Sequence, residues 1–244
     1  MTAPKGETTL GLAGHAYVVT GGTGTLGRAV AGTLLAHGAR VAVPFRSAER
    51  WKEVERHLGG GDRVWAAAAD ITDPSATQQF VDEAARRLGR LDGAAALAGA
   101  YAGSGRFEQA PDTEWPAMMA ANLTPAFTVC RAALPHLLKQ GGSVVTVASK
   151  LALDGGAGAA AYAVSKAAVV ALTRALAAEN RERGVRFNAV APGIIDTAEN
   201  RAAMPDGDFA RWTSPAAIAE VIAFLLSPAS APTTGAVLPV DLSA

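Results

Sequence analysis

Short runs of β-branched and other apolar residues alternate with longer helical patterns along this chain, and that alternation most restricts its fold. The apolar runs cover residues 15–20, 40–45, 63–67, 92–97, 143–148, 185–190 and 236–240. Helical patterns lie between them at residues 26–37, 48–58, 74–88, 160–183 and 215–226, and two more helices are expected within 112–139. Since strands that are joined through helices pair in parallel, the sequence predicts an α/β protein. Its parallel sheet is expected to have about seven strands, with helices on both faces.

The composition fits a soluble protein with one hydrophobic core. Half of the 244 residues are hydrophobic, and 22 basic residues balance 22 acidic ones. A balanced charge argues against a nucleic-acid partner, and the lack of a long uninterrupted apolar run argues against a membrane partner. The start of the sequence has no apolar signal segment and Cys130 is the single cysteine, so we expect a cytoplasmic protein. Because no repeat or Pro-rich linker divides the chain, residues 1–244 are predicted to form one domain.

A glycine-rich loop lies where the first predicted strand meets the first predicted helix. Residues 20–27 read Thr-Gly-Gly-Thr-Gly-Thr-Leu-Gly and contain the spacing Gly-x-Gly-x-x-Gly. Glycines at these positions allow a tight turn and a close approach of the backbone to a pyrophosphate, which the N–H groups at a helix N-terminus bind. The strand before and the helix after are the context that the motif requires. The loop therefore predicts a Rossmann-type dinucleotide site formed by Gly21, Gly22, Thr23, Gly24, Thr25, Leu26 and Gly27.

The residues after the second and third predicted strands bear on which dinucleotide binds. A carboxylate after the second strand would bind the ribose 2′-hydroxyl of NAD, whereas an arginine suits the 2′-phosphate of NADP. This chain has Phe45-Arg46 there, so we expect NADP(H) to be favoured over NAD(H), with a solvated Arg46 as the alternative. Asp70, after the third strand, has two interpretations: it accepts a hydrogen bond from adenine, or it caps a turn.

Tyr162 and Lys166 are four residues apart in the longest predicted helix, so they lie on one face of it. A free tyrosine has a pKa of about 10. An ammonium ~4 Å away stabilises the phenolate by about 4 kcal/mol at an effective dielectric constant of ~20, which is enough to bring that pKa to about 7. In most helices, a tyrosine and a lysine with this spacing form an exposed pair on the surface, which is the alternative interpretation. Here the pair is interpreted as an acid–base centre in which Lys166 lowers the pKa of Tyr162.

The order of these motifs resembles that of the short-chain dehydrogenase/reductase family. The glycine loop, Asn122, Ser149 thirteen residues before Tyr162, and a later Pro192-Gly193 follow one another between about residue 15 and residue 241. The resemblance implies an NADP(H)-dependent oxidoreductase that transfers hydride between the nicotinamide and a carbonyl or alcohol of a small organic substrate. It also implies a homotetramer, with a dimer as the fallback, since helices that are apolar on several faces need a second partner.

The resemblance also assigns roles to individual residues. Tyr162 would be the general acid that protonates the developing alkoxide, and Lys166 would lower its pKa and hold the nicotinamide ribose. Ser149 would hydrogen-bond the substrate oxygen, and Asn122 would anchor a water molecule in the proton relay. Further contacts with the cofactor are expected at Asp70, Ile71, Ala98, Gly99, Pro192, Gly193, Ile195 and Thr197.

Several alternatives remain open at this point. The segments 150–155 and 196–212 are similar to parts of quinonoid dihydropteridine reductase, so pteridine reduction is a second candidate activity. A non-redox isomerase, dehydratase or cyclase on the same scaffold and a protein that senses NADP(H) are others. The four histidines lack metal-ligand spacing, so no metal is expected. Residues 197–213, which contain Pro and Gly, are interpreted as a mobile substrate lid.

Overall fold

Seven parallel strands form one sheet in the computed structural model, which describes residues 10–59 and 61–241. The strands are β1 (Ala16–Thr20), β2 (Arg40–Phe45), β3 (Val64–Ala68), β4 (Gly93–Ala96), β5 (Gly142–Val147), β6 (Val185–Pro192) and β7 (Val237–Val240). Their order across the sheet is β3-β2-β1-β4-β5-β6-β7. This order reverses direction between β1 and β4, and such a switch point is where open parallel sheets bind ligands. The predicted Rossmann-type α/β fold is confirmed.

Nine α-helices connect or cover the strands within the described residues. They are α1 (Thr25–Ala36), α2 (Ala48–Leu58), α3 (Pro74–Leu88), α4 (Glu114–Met118), α5 (Thr124–Leu137), α6 (Leu151–Asp154), α7 (Ala160–Asn180), α8 (Ala198–Ala203) and α9 (Pro215–Leu226). The longer helices begin and end with ordinary signals. Asp73 caps the start of α3, for example, and Gly89 ends that helix in the left-handed conformation.

Two hydrophobic clusters, one on each face of the sheet, form the core. On one face α1 and α9 pack against the sheet through residues such as Leu34 and Ile222. On the other face α3 and α5 pack through Phe80 and Val129, among others, and α7 joins them. Strand β1, which lies between β2 and β4, is fully buried. Strands covered on both faces account for the continuous apolar runs in the sequence.

The two helices predicted within residues 112–139 are parts of one helical run interrupted by a π-turn. The turn spans Met119–Leu123 and joins α4 directly to α5. Pro125 stands at the start of α5 and has no N–H to donate to the carbonyl group of Ala121, so regular α-helical bonding cannot continue through this point. Wide turns of this kind are frequent at functional sites, and this one contains Asn122.

Arg186 of β6 ties the sheet to the end of α9. Its guanidinium donates hydrogen bonds of 3.0 Å to the carbonyl oxygens of Leu225 and Ser227, and further bonds to those of Ser230 and Thr233. The last carbonyls of a helix have no partner within the helix. Arg186 therefore adds a charged donor to carbonyl groups that also accept hydrogen bonds from Ser143 and Ser230.

One helical stretch in the described part of the chain, Ala160–Arg183, is long and apolar enough to cross a membrane by length and composition alone. Core helices of soluble proteins pass the same test, so this is weak evidence. Here the helix packs against β5 and β6 and carries Tyr162 and Lys166.

Candidate active site

A cavity of about 1060 Å³ opens at the carboxyl ends of the strands. Loops that follow β1 to β6 line it, together with the first turns of α7 and part of α8. All but two of the predicted cofactor and catalytic residues lie on its wall; the exceptions are Gly22 and Asn122. The topology therefore brings together residues that are as far apart in sequence as Gly21 and Thr197.

The glycine loop is packed too tightly for side chains at three positions. A Cβ atom on Gly27 would lie 2.2 Å from the backbone oxygen of Gly21, and one on Gly22 would lie 2.5 Å from the side chain of Val43. Gly21 itself has a φ of 67° and faces the backbone of Ala98. Gly22 and Gly27 therefore allow the loop to pack against β2 and α1, which explains why Gly22 contacts the sheet rather than the cavity.

The start of α1 fits a pyrophosphate. Gly24 is the N-cap residue, and among the described residues no side chain accepts a hydrogen bond from the first turn. The N–H groups of Thr25, Leu26 and Gly27 therefore remain available where the helix meets the cavity. A Cβ on Gly24 would lie 3.4 Å from the backbone oxygen of Gly21, an ordinary van der Waals contact, so this position is less crowded than Gly22 or Gly27. The residues present fit a dinucleotide phosphate group.

The segment from the end of β2 into α2 and the loop after β3 place two guanidiniums and a carboxylate at one end of the cavity. Arg46 and Arg50 both line it, and both are exposed. Asp70 accepts hydrogen bonds from the N–H and the hydroxyl of Thr72, at 2.9 and 2.7 Å. These bonds, and to a lesser degree the nearby Arg46, hold the pKa of Asp70 below its usual value. Asp70 therefore caps a turn through its bonds to Thr72. It also lies on the cavity wall, so it remains available to a bound nucleotide.

Tyr162 faces the cavity next to Ser149 and Tyr101. Burial raises the pKa of the Tyr162 phenol, a hydrogen bond with Ser149 acts in the opposite direction, and Tyr101 raises it further. The ring of Tyr101 meets that of Tyr162 edge-on, with 4.9 Å between centroids. Ser149 is buried and its Oγ also accepts a hydrogen bond from the N–H of Leu151. A protonated phenol beside a hydroxyl can donate a proton to an oxygen bound between them.

Lys166 is 5% exposed, and its Nζ donates a 2.8 Å hydrogen bond to the carbonyl oxygen of Val147. Burial lowers the pKa of Lys166 to about 8. The Nζ lies 6.0 Å from the centroid of the Tyr162 ring. The prediction that Lys166 lowers the pKa of Tyr162 is therefore not met in this structure. The ammonium is held by the carbonyl group of Val147, and desolvation of the phenol dominates its pKa.

Asn122 lies behind the cavity wall rather than on it. It is 1% exposed, its Oδ1 accepts a 3.0 Å hydrogen bond from the N–H of Ala100, and its Nδ2 donates to Ser165 Oγ at 3.1 Å. Ser165 in turn donates to the carbonyl oxygen of Tyr162. A Cβ on Gly99 would meet both Asn122 Oδ1 and Lys166 Nζ. Asn122 thus connects the loop after β4 with the helix that carries Tyr162.

Sequence reasoning did not identify Tyr101 or Arg50 as site residues. Tyr101 follows Gly99 by two residues, in the loop after β4 and next to the switch point. Because ligands bind at such points, this position could have identified Tyr101 as a site residue. Arg50 lies in the first turn of α2, whereas Arg46 precedes the N-cap Ser47; the fold brings both side chains to the cavity wall.

Together, the fold and the site define a Rossmann-type α/β protein whose cavity groups Tyr162 with Ser149 and Lys166. The family model described as short chain dehydrogenase matches residues 15–207. The short-chain dehydrogenase/reductase ABA4 of Pyricularia oryzae is 36% identical over 249 residues, covering 95% of this chain and 92% of that protein. The chain belongs to the short-chain dehydrogenase/reductase family and is an oxidoreductase acting on CH–OH or C=O groups.

Two further similarities agree with this family. Meso-2,3-butanediol dehydrogenase of Serratia marcescens is 33% identical over 237 residues, which cover 92% of each protein. An NADPH-bound short chain oxidoreductase from Pseudomonas aeruginosa is similar in structure, with a TM-score of 0.86 and 28% identity over 93% of this chain and 95% of that one.

Proposed function

We propose that this protein uses NADPH to reduce a carbonyl group of a small organic molecule. The observation that carries the proposal is the grouping of Tyr162, Ser149 and Lys166 in the cavity that the glycine loop and Arg46 also line. When bound, the nicotinamide supplies the hydride. Because burial raises the pKa of Tyr162, the phenol is protonated at neutral pH, which is the form needed for reduction.

The chain's own residues would then handle the proton. Ser149 Oγ orients the substrate oxygen, and Tyr162 donates its phenolic proton to that oxygen as negative charge develops there. Lys166 contributes a buried positive charge that is fixed in place through its bond to Val147. Ser149 and Lys166 are buried, which limits the access of water to them and strengthens the electrostatic contribution of each.

The substitution Tyr162→Phe tests the catalytic role. We expect it to remove most turnover in a screen of carbonyl substrates while leaving nucleotide affinity nearly unchanged. Tyr17→Phe is the matched control, since its hydroxyl bonds to Leu226 outside the cavity. The screen follows the absorbance of both reduced cofactors and includes a quinonoid pterin. A Tyr162→Phe enzyme that works at the parental rate would refute the assignment.

The preference for NADP(H) is supported by the two guanidiniums, Arg46 and Arg50, at the cavity end that follows β2. Arg46→Ala is expected to weaken NADPH binding roughly tenfold or more and to change NADH binding little, since a guanidinium–phosphate pair is charge-assisted. Arg56→Ala on the same helix, outside the cavity wall, is the control. Equal losses for both nucleotides would return Arg46 to the solvated-surface interpretation.

The location and assembly of the protein are further proposals. We propose a cytoplasmic homotetramer, or a dimer as the fallback. Trp115, Phe127 and Val164, all more than 40% exposed on α4, α5 and α7, support a subunit contact. Light scattering that gave a monomer at micromolar concentration would contradict it.

We also propose that residues 197–213 move as a substrate lid. This segment contains α8 and, near its end, the buried Trp212.

A further inference from the structure

We propose that the substrate end of the cavity discriminates by charge, so that carbonyl compounds bearing a negative charge are reduced less well than uncharged or cationic ones. The inference rests on the proposed function. It concerns the part of the wall formed after β5 and β6, where Asp154 and Glu199 are exposed carboxylates that line the cavity. We call Asp154 and Glu199 the acidic rim.

The cations on the cavity wall lie elsewhere or are already engaged. Arg46 and Arg50 are at the opposite end, after β2. Lys166 is buried against Val147 behind the catalytic tyrosine. The remaining lining cation is Lys150, the residue that follows Ser149.

Lys150 is paired with two carboxylates. Its Nζ contacts Asp241, whose side chain is 5% exposed, and it lies 4.0 Å from Asp154. The Asp241 carboxylate also lies against Gly193, where a Cβ would come within 2.4 Å of it. Because Asp241 and Asp154 both lie close to this ammonium, its charge is engaged within the cluster and does not offset Glu199.

The segment that follows β6 adds to the same imbalance. Residues 196–212 contain four carboxylates and two guanidiniums, whereas the whole chain has equal numbers of acidic and basic residues. The guanidinium of Arg201 is bonded to Asp196 and lies 4.5 Å from the centre of the Phe209 ring. It is thus directed into its own helix–loop segment, since Phe209 does not line the cavity.

An aromatic ring completes this end of the cavity. Tyr101 is 66% exposed, although it stacks edge-on against Tyr162. An exposed tyrosine face attracts cations and offers apolar contact to uncharged molecules. The acidic rim and Tyr101 together therefore favour cationic and uncharged substituents over carboxylates and phosphates.

The expected size of the effect follows from Coulomb's law. Two carboxylates ~7 Å from a substrate charge, acting through largely aqueous surroundings, change relative binding roughly tenfold. Since both groups of the acidic rim are exposed, salt screens the effect strongly. The discrimination should therefore fall to about twofold as salt rises from ~20 mM to ~500 mM.

The test compares three ketones of similar shape: 4-oxocyclohexanecarboxamide, its carboxylate analogue and 4-trimethylammoniocyclohexanone. For each ketone, kcat/KM is measured with NADPH. The Kd of the ketone for the protein–NADPH complex is measured from the fluorescence of the bound nucleotide. We expect the cationic ketone to exceed the carboxylate by more than the uncharged ketone does, and the uncharged-to-carboxylate ratio to be roughly tenfold at low salt. The double variant Asp154→Asn/Glu199→Gln should reduce that ratio to below about threefold. The control Glu55→Gln/Glu182→Gln, with both sites exposed and outside the cavity wall, should leave it unchanged.

The outcomes separate this inference from the proposed function. If no ketone is reduced but the Kd values keep the expected order, the proposed function fails and the charge discrimination stands. If the carboxylate is bound or reduced as well as the amide, or if none of the three binds or reacts, the discrimination is overturned. It is also overturned if both double variants change the ratio equally.

Discussion

Replacing Lys166 with methionine should reveal the free energy that the fold loses by burying an ammonium. Lys166 is 5% exposed, and the pKa of its side chain is lowered from 10.5 to about 8 by burial. Methionine fills a similar volume without a charge. The variant loses the hydrogen bond to Val147, a contribution that does not change with pH while the amine remains a donor. The pH-dependent part of the stability is therefore the informative quantity.

The sign and the size of that part follow from linkage. Below pH ~8 the lysine is protonated in both the folded and the unfolded protein, and the full cost of about 3 kcal/mol is present. As the pH rises from about 8 towards about 10.5, the unfolded chain holds more protons than the folded one, so the wild-type free energy of unfolding increases. Between pH ~7 and ~9.5 the wild type should gain about 2 kcal/mol relative to Lys166→Met.

Urea unfolding at a series of pH values, without nucleotide, measures this gain. The matched control is Lys139→Met, at an exposed lysine after α5, for which the difference from wild type should stay constant over the same range. A difference between wild type and Lys166→Met that does not change with pH, or that changes in the opposite direction, would refute the burial of a charged ammonium at this position.

Two further predictions concern packing. Gly27→Ala places a Cβ 2.2 Å from the backbone oxygen of Gly21, so we expect a loss of about 3 kcal/mol of stability together with weaker nucleotide binding, measured by urea unfolding and fluorescence titration. Gly32→Ala on the same helix, where the nearest atom is 4.0 Å away, should instead be neutral or stabilising by up to about 1 kcal/mol; similar losses in both variants would refute the role of close packing. Arg186→Met removes the charged hydrogen bonds to four carbonyl groups at and beyond the α9 end and should lower the thermal unfolding midpoint, at a cost of about 3 kcal/mol. An Arg186→Met protein as stable as Arg56→Met would contradict that account.

Most of the fold could be predicted from the sequence because its signals are local. The bounds of β2, α2, α3 and α9 were predicted to the residue, since each has a clear start or stop, such as the N-cap Asp73 and the terminating Gly89. The π-turn at Met119–Leu123 was not predicted. It depends on how the missing N–H of Pro125 is accommodated between two packed helices, which periodicity does not report.

The members of the site could be predicted better than their electrostatics. Ser149, Tyr162 and Lys166 meet in the cavity as expected, because the carboxyl ends of parallel strands share one edge. The pKa of Tyr162 was predicted to be low, but burial makes it high. The direction of the shift in the pKa of Tyr162 depends on its burial and on the partner that Lys166 bonds. Neither can be inferred from the spacing of two residues along a helix. The contact of Tyr101 with Tyr162 was not predicted, because it joins two residues that are far apart in the sequence.

The strand order has a consequence for how such a protein diversifies. The loop after β2, with its two guanidiniums, lies on one side of the switch point, whereas β5, α7 and the acidic rim lie on the other. A substitution on one side of the switch point therefore leaves the packing on the other side in place, so the two sides of the cavity can vary in sequence independently.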